Sequence, residues 1–228
     1  MPKRLKETMI RSDFHMHTAF STDSEEAVES MLNRAVERGL YSVCITDHMD
    51  ADYPPDDEMG ESAFRLDTEN YFPFLLKKKK EYEERIQVRI GIELGLQKHL
   101  GTRYETLIEK YPFDFVIGSM HLVCGEDPYT GKVFEELGDA QVYRRMFCET
   151  LECIRKIKCF DVLGHLDYVV RYGKHQAEAY SYEKFSDEID MILRELIYVR
   201  KRFMELNMAG MKVWILDCSS ASECASPI

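Results

Sequence analysis

Five runs of strand character in this chain each stop at a histidine or a glutamate, and stretches of helical period separate them. Residues 9–17 end on His15 and His17, and 41–46 lead to His48. Residues 86–92 run into Glu93, 113–119 lead to His121 and 160–164 to His165. Between the first two runs, residues 25–38 place Val28, Met31, Leu32, Ala35 and Val36 on one helical face; 69–85, 102–110 and 140–158 read as further helices. A helix is also expected over 182–199 and a sixth strand over 204–207. Strands alternating with helices build a parallel sheet. When such a sheet curls into a barrel, the C-terminal ends of its strands converge on one face, where side chains distant in sequence meet.

The first run shows what those ends are suited to. Alternate strand residues share a face, so His15 and His17 point the same way, about 6–7 Å apart along the strand, with Phe14 and Met16 turned to packing. Two imidazoles so placed can chelate one divalent cation. Glu93 sits between Gly91 and Gly95 at a strand end, where a buried and unpaired carboxylate would be costly; a metal role resolves that cost. Neutral imidazoles with a carboxylate suit zinc, iron or manganese. Five of the seven histidines lie at these ends, whereas His99 and His175 fall in polar segments and read as surface residues. Asp23 precedes Glu26 by capping-box spacing and on that spacing reads as a helix cap. Asp47 either orients His48 or satisfies backbone donors. The polar, proline-containing loop over 49–68 is long enough to belong near the function. The lysine run at 77–80 reads as a solvated helix face.

Composition sets the outer bounds. The 228 residues are 45% hydrophobic, enough for a sizeable core. A net charge of −11 excludes a nucleic-acid binder driven by phosphate neutralisation. It does not exclude a small phosphorylated substrate, because bound metal ions reverse the local sign. Seven cysteines without Cys-x-x-Cys spacing read as reduced thiols of a cytoplasmic protein. No apolar run approaches membrane-spanning length, so no membrane partner is expected.

Five motifs, in this order, resemble the polymerase-and-histidinol-phosphatase (PHP) family of metallohydrolases. They are Asp-Phe-His-Met-His-Thr (13–18), Ile-Thr-Asp-His (45–48), Gly-Ile-Glu-Leu-Gly (91–95), Asp-Phe-Val-Ile-Gly-Ser-Met-His (114–121) and Gly-His-Leu-Asp (164–167). Within that family the chain most resembles the monofunctional histidinol-phosphate phosphatases. The resemblance implies one PHP domain over 1–228, family-like over about 9–210, folded as a distorted seven-stranded α/β barrel of TIM-like type. It implies two or three divalent metal ions (zinc, iron or manganese). His15, His17 and Glu93 would hold one, Glu93, His121 and His165 a second, and His48 with Asp23 would help hold a third. The implied reaction is hydrolysis of L-histidinol phosphate in histidine biosynthesis, with water activated by the metals as nucleophile. Arg171, just past His165, reads either as a phosphate clamp or as half of a surface salt bridge.

One feature departs from the family. A final Asp-x-His pair is expected on the last strand, and none follows His165. Residues 211–228 show no sustained period and read as an atypical tail. The expectation is a barrel lacking its last strand and helix, with exposed sheet edges through which copies of the chain associate. The lost aspartate would have served the first metal and the lost histidine the third. Two alternatives stand beside the phosphatase reading: a related phosphoesterase of other substrate, and a catalytically impaired metal-binding fragment.

Overall fold

The computed structural model describes residues 11–55, 60, 63–200 and 202–205. Its framework is a curled, all-parallel sheet with helices on its outer side. In chain order the elements are β1 (Ser12–Asp13), α1 (Val28–Glu37), β2 (Ser42–Ile45), β3 (His48–Met49), α2 (Thr68–Glu81), β4 (Gln87–Gly95) and α3 (Gly101–Lys110). There follow β5 (Phe115–Ser119), α4 (Lys132–Leu137), α5 (Asp139–Lys156), β6 (Val162–Leu163), α6 (Gln176–Ala179), α7 (Tyr182–Arg194) and β7 (Phe203–Met204). Short 3-10 turns cover Pro128–Thr130 and Tyr168–Tyr172, and a π-helical turn covers Glu195–Arg200. The strand order is β1-β2-β4-β5-β6-β7, the half-barrel of a distorted TIM-like α/β fold.

The axis of this sheet is β4. Val88, Ile90, Ile92 and Leu94 are buried on one face and Gly91, Glu93 and Gly95 on the other, as expected of a strand covered on both faces. Its first half pairs with β2, Val43 opposite Val88, and its second half with β3, His48 opposite Glu93. β2 and β3 are thus one strand interrupted at Thr46 and Asp47, and the interruption sets His48 beside Glu93. Two glycines of β4 permit this. A Cβ on Gly91 would lie 2.6 Å from Cys44 Sγ and 2.8 Å from the Phe115 carbonyl oxygen, and one on Gly95 would lie 1.9 Å from Asp50 Oδ1.

Two fully buried tyrosines fasten helices α2 and α3 to these strand ends. The Tyr71 hydroxyl lies 3.1 Å from the Ile45 carbonyl and 3.0 Å from that of Gly91. The Tyr104 hydroxyl lies 3.1 Å from the Met49 carbonyl and 2.7 Å from that of Gly95, and accepts from the Ala51 amide at 3.3 Å. On α5, Val142, Met146, Phe147, Leu151 and Ile154 form the buried stripe, packed against Phe185 and Ile189 of α7.

Several elements differ from their sequence-based bounds. The first strand is only Ser12–Asp13, so His15 and His17 follow it rather than end it; residues 9 and 10 lie outside the described ones. Helix α1 starts at Val28 behind Ala27 with no side-chain cap, which removes the capping role of Asp23. β4 continues past Glu93 because Leu94 and Gly95 find partners on β5. The expected loop before α5 contains α4, and the end of α7 widens into a π turn. Lys78 does not lie on a solvated face: it is buried against Phe74 with its ammonium 2.7 Å from Glu29 and 2.8 Å from Glu81. The atypical tail at 211–228 lies outside the described residues.

Tyr104→Phe strips the Ala51 amide and two strand-end carbonyls of their shared partner. It should destabilise the fold by about 1–3 kcal/mol, read as a lower denaturation midpoint at unchanged slope.

Candidate metal centre

Glu93 is completely buried, and five imidazoles surround its carboxylate. Oε2 lies 3.0 Å from His15 Nε2, 3.3 Å from His17 Nε2 and 3.4 Å from His48 Nδ1. Oε1 lies 3.3 Å from His121 Nε2 and 3.1 Å from His165 Nε2. The carboxylate therefore divides the histidines into two sets, one on each oxygen, as a bridging ligand would. Asp23 faces outward from the Oε2 side, 3.8 Å from His17 Nδ1 and 3.5 Å from His48 Nε2. Three combinations are compact enough to hold an ion: His15, His17 and Glu93; His17, Asp23 and His48; His48, Glu93 and His121. All seven residues singled out at the strand ends and at Asp23 thus meet in one place. His48 stands close to Glu93 as well as to Asp23, so it adjoins two of the sets.

Local structure explains the positions. Asp47 accepts from the Thr18 amide at 2.6 Å, the Thr18 hydroxyl at 2.9 Å and the Ser21 hydroxyl at 2.9 Å, and Ser21 Oγ accepts from the His48 amide at 2.8 Å. Asp47 is thereby a brace between the loop after His17 and the start of β3. Behind the histidines stand two carboxylates that the sequence reading missed. Buried Asp50 accepts from His121 Nδ1 at 2.7 Å, and its other oxygen lies 3.3 Å from His48 Nδ1 without hydrogen-bond alignment. Glu205, just past β7, lies 2.7 Å from His15 Nδ1 and links the outermost strands β1 and β7. Carboxylates in this position fix ring orientation and tautomer and make the other nitrogen a better ligand. A strand ending on a metal-type residue was a signal that applied to Glu205 as well; Asp50, in a polar loop, carried none. His99 and His175 are exposed, near Asp52 and Asp139.

The electrostatics show what the cluster needs. Burial opposes the Glu93 charge, but His48, His15 and His121 hold the carboxyl well below its usual range. Burial pushes the His15 imidazole down, and Glu93 and Glu205 more than offset this, raising it to about 10. His48 rises in the same way to about 9, and Asp50 and Glu93 raise His121 well above its ordinary value. His17 falls to about 4 through burial and the His48 charge, and burial also lowers His165. Without a metal, protons on three histidines neutralise the central carboxylate. The Nδ1 atoms of His17, His48 and His165 and Asp50 Oδ2 are buried with no hydrogen-bond partner. Orphan nitrogen and oxygen donors around a buried anion fit divalent cations, which would replace the protons.

A cavity of about 510 Å3 opens above the cluster. Tyr53, Phe64, Asp127, Tyr129, Tyr168, Arg171 and Tyr172 form its upper walls. The Arg171 guanidinium lies 5.7 Å from the Tyr168 ring centroid.

Two outcomes follow. His121→Ala should lower metal content per chain by elemental analysis, whereas His99→Ala should leave it unchanged. The second concerns pH. His15 and His48 hold protons more tightly folded than unfolded, so the stability they contribute is complete below about pH 6.5 and lost as pH rises through about 9–10. For His17, lowered to about 4, that stability is complete above about 6.5 and lost as pH falls. Chelator-treated protein should therefore melt at its highest temperature near pH 6.5, and added zinc should raise the midpoint more at pH 9 than at pH 6. A chelator-treated midpoint climbing steadily to pH 10 would contradict this.

A model of the PHP domain family matches residues 13–209. The probable histidinol-phosphatase of Clostridium acetobutylicum is 34% identical over 196 residues, 86% of this chain and 72% of that protein. The histidinol-phosphatase of Lactococcus lactis is 29% identical over 87% of this chain and 72% of its own. The crystal structure of a histidinol phosphate phosphatase from Lactococcus lactis, complexed with zinc, L-histidinol and phosphate, superposes with a TM-score of 0.78 at 28% identity, covering 86% of this chain and 73% of that one. A putative histidinol phosphatase from Listeria monocytogenes shares the fold, with a TM-score of 0.71 at 19% identity over 87% of this chain and 83% of that one. Among the described residues, no helix is long and apolar enough to cross a membrane. With the matched span containing every residue of the histidine cluster, the chain belongs to the PHP domain family.

Proposed function

We propose that this chain is a metal-dependent phosphomonoesterase that hydrolyses L-histidinol phosphate to L-histidinol and phosphate. The observation that carries this is the buried Glu93 carboxylate with imidazoles on both oxygens, at the floor of a cavity with Arg171 in its wall. Relatives named histidinol-phosphatase support the substrate, and the related Lactococcus lactis structure with zinc, L-histidinol and phosphate supports both zinc and the product pair.

His15, His17 and Glu93 would hold one ion, and Glu93 with His121 and His165 a second, Glu93 bridging. Asp23 with His48 would help hold the third. Bound metals would neutralise phosphoryl oxygens and lower the pKa of water so that it can attack phosphorus at neutral pH. Asp50 and Glu205 hold the His121 and His15 rings in their ligand orientation. Arg171 would take the phosphoryl group in a two-pronged contact, its guanidinium steadied against Tyr168.

Protein purified without chelator should carry roughly two or three divalent ions per chain and release phosphate from L-histidinol phosphate. Chelation should abolish turnover and zinc should restore it. Turnover that survives complete metal removal would overturn the proposal. Arg171→Ala should raise KM for the ester by about 10–100-fold, with Arg171→Lys recovering part of the loss.

A further inference from the structure

Arg171 is held from outside the cavity. It lies near the end of the 3-10 turn Tyr168–Tyr172, and the chain then passes over the first turn of α5 before entering α6. Three contacts hold it there. The Gln176 side-chain amide donates to the Arg171 carbonyl at 2.7 Å. The His175 amide donates to Asp139 Oδ2 at 2.6 Å. Between them Gly173 is buried against Tyr143: a Cβ added there would lie 1.8 Å from the Tyr143 hydroxyl oxygen and 3.1 Å from Asp139 Oδ2. Asp139 and Tyr143 are four residues apart on α5, on one face, so they form a single seat for residues 173–175.

The seat is rigid. Tyr143 is fully buried, with the rings of Phe134, Tyr180 and Phe185 at 6.1, 6.0 and 6.0 Å from its own. Its hydroxyl has no hydrogen-bond partner. A buried hydroxyl left unpaired costs about 1–3 kcal/mol, and phenylalanine would fill the same ring space without that cost. The hydroxyl thus adds no bond to the fold; it sets how near the Gly173 backbone comes to α5. Asp139 is the first residue of α5, its side chain is only 8% exposed, and its Oδ2 is turned to the crossing chain. A guanidinium grips a phosphoryl group through two parallel bonds, a geometry that tolerates little displacement.

We infer that Asp139 and Tyr143 are positioning residues for Arg171: with the Gln176 side chain, they fix the backbone that delivers its guanidinium to the cavity. This rests on the phosphatase reading, with Arg171 as the phosphoryl clamp, and adds to it what holds the clamp in place.

The test measures KM for L-histidinol phosphate and the inhibition constant of inorganic phosphate, with metal content per chain as a control, in wild type and in an Arg171→Ala background. Asp139→Ala should raise both constants by about 3–30-fold in wild type at unchanged metal content. Asp139→Asn keeps an oxygen for the His175 amide and should recover most of that loss. In the Arg171→Ala background Asp139→Ala should act by no more than about twofold, because the clamp it positions is gone. A rise under about threefold in wild type, or a loss as large without Arg171 as with it, overturns the assignment. Gly173→Ala drives the backbone off the Tyr143 hydroxyl and should raise KM likewise, and Tyr143→Phe in the same chain should relieve part of the rise. Equal losses with and without the hydroxyl overturn the assignment. Gln176 is exposed, so Gln176→Ala keeps the fold and should raise KM by about 2–10-fold. An unchanged KM there overturns the assignment even where the α5 variants fail to fold. A wild type that does not hydrolyse the ester overturns the phosphatase reading and the assignment with it; turnover with independent effects of Asp139 and Arg171 overturns the assignment alone.

Discussion

A carboxylate removed from water must be surrounded by donors or cations, and Glu93 draws five imidazoles from four different strand ends to meet that demand. Every other feature of the site answers to this one charge. His15, His48 and His121, each beside a second carboxylate in Glu205 or Asp50, bind protons more tightly in the metal-free chain, and burial lowers His17 and His165. Such a cluster is balanced only when extra positive charge sits at its centre. Protons supply it in one state, and divalent cations are suited to supply it in the other, so proton and metal compete for the same atoms.

Holding that charge in place is the work of the backbone around β4. The strand is paired along its whole length, but its partner changes from β2 to β3 at Thr46 and Asp47, where the Asp47 side chain braces Thr18 and Ser21. Tyr71 and Tyr104 meet the carbonyls exposed by that change, each from a helix that packs on the sheet's outer side. Gly91 and Gly95 leave space for Cys44 and Asp50, which a methyl group would displace. Stability of the fold and geometry of the centre therefore share the same few residues.

Around this rigid floor the cavity walls are aromatic and come from the connections after β3, β5 and β6. Loops at strand ends vary freely while the strands beneath them stay constant, which is how one barrel face serves many substrates. Here the walls are lined by Tyr53, Phe64, Tyr168 and Tyr172, with Arg171 and Asp127 among them.

By itself the sequence determined the parallel α/β architecture and the convergence of His15, His17, His48, Glu93, His121 and His165, because apolar runs of strand length carry a strict order and each ended on a residue type that metals bind. It also left Asp23 between two roles, and the tertiary structure removed the cap: α1 begins after Ala27, and the aspartate faces His17 and His48 instead. The burial of Asp50 and Asp127 was decided by tertiary structure alone. A polar residue in a loop reads as solvated until packing buries it, and burial is a property of what the rest of the chain places against it. The same reason hid the interruption between β2 and β3, since a strand's break shows only in the register of its neighbour.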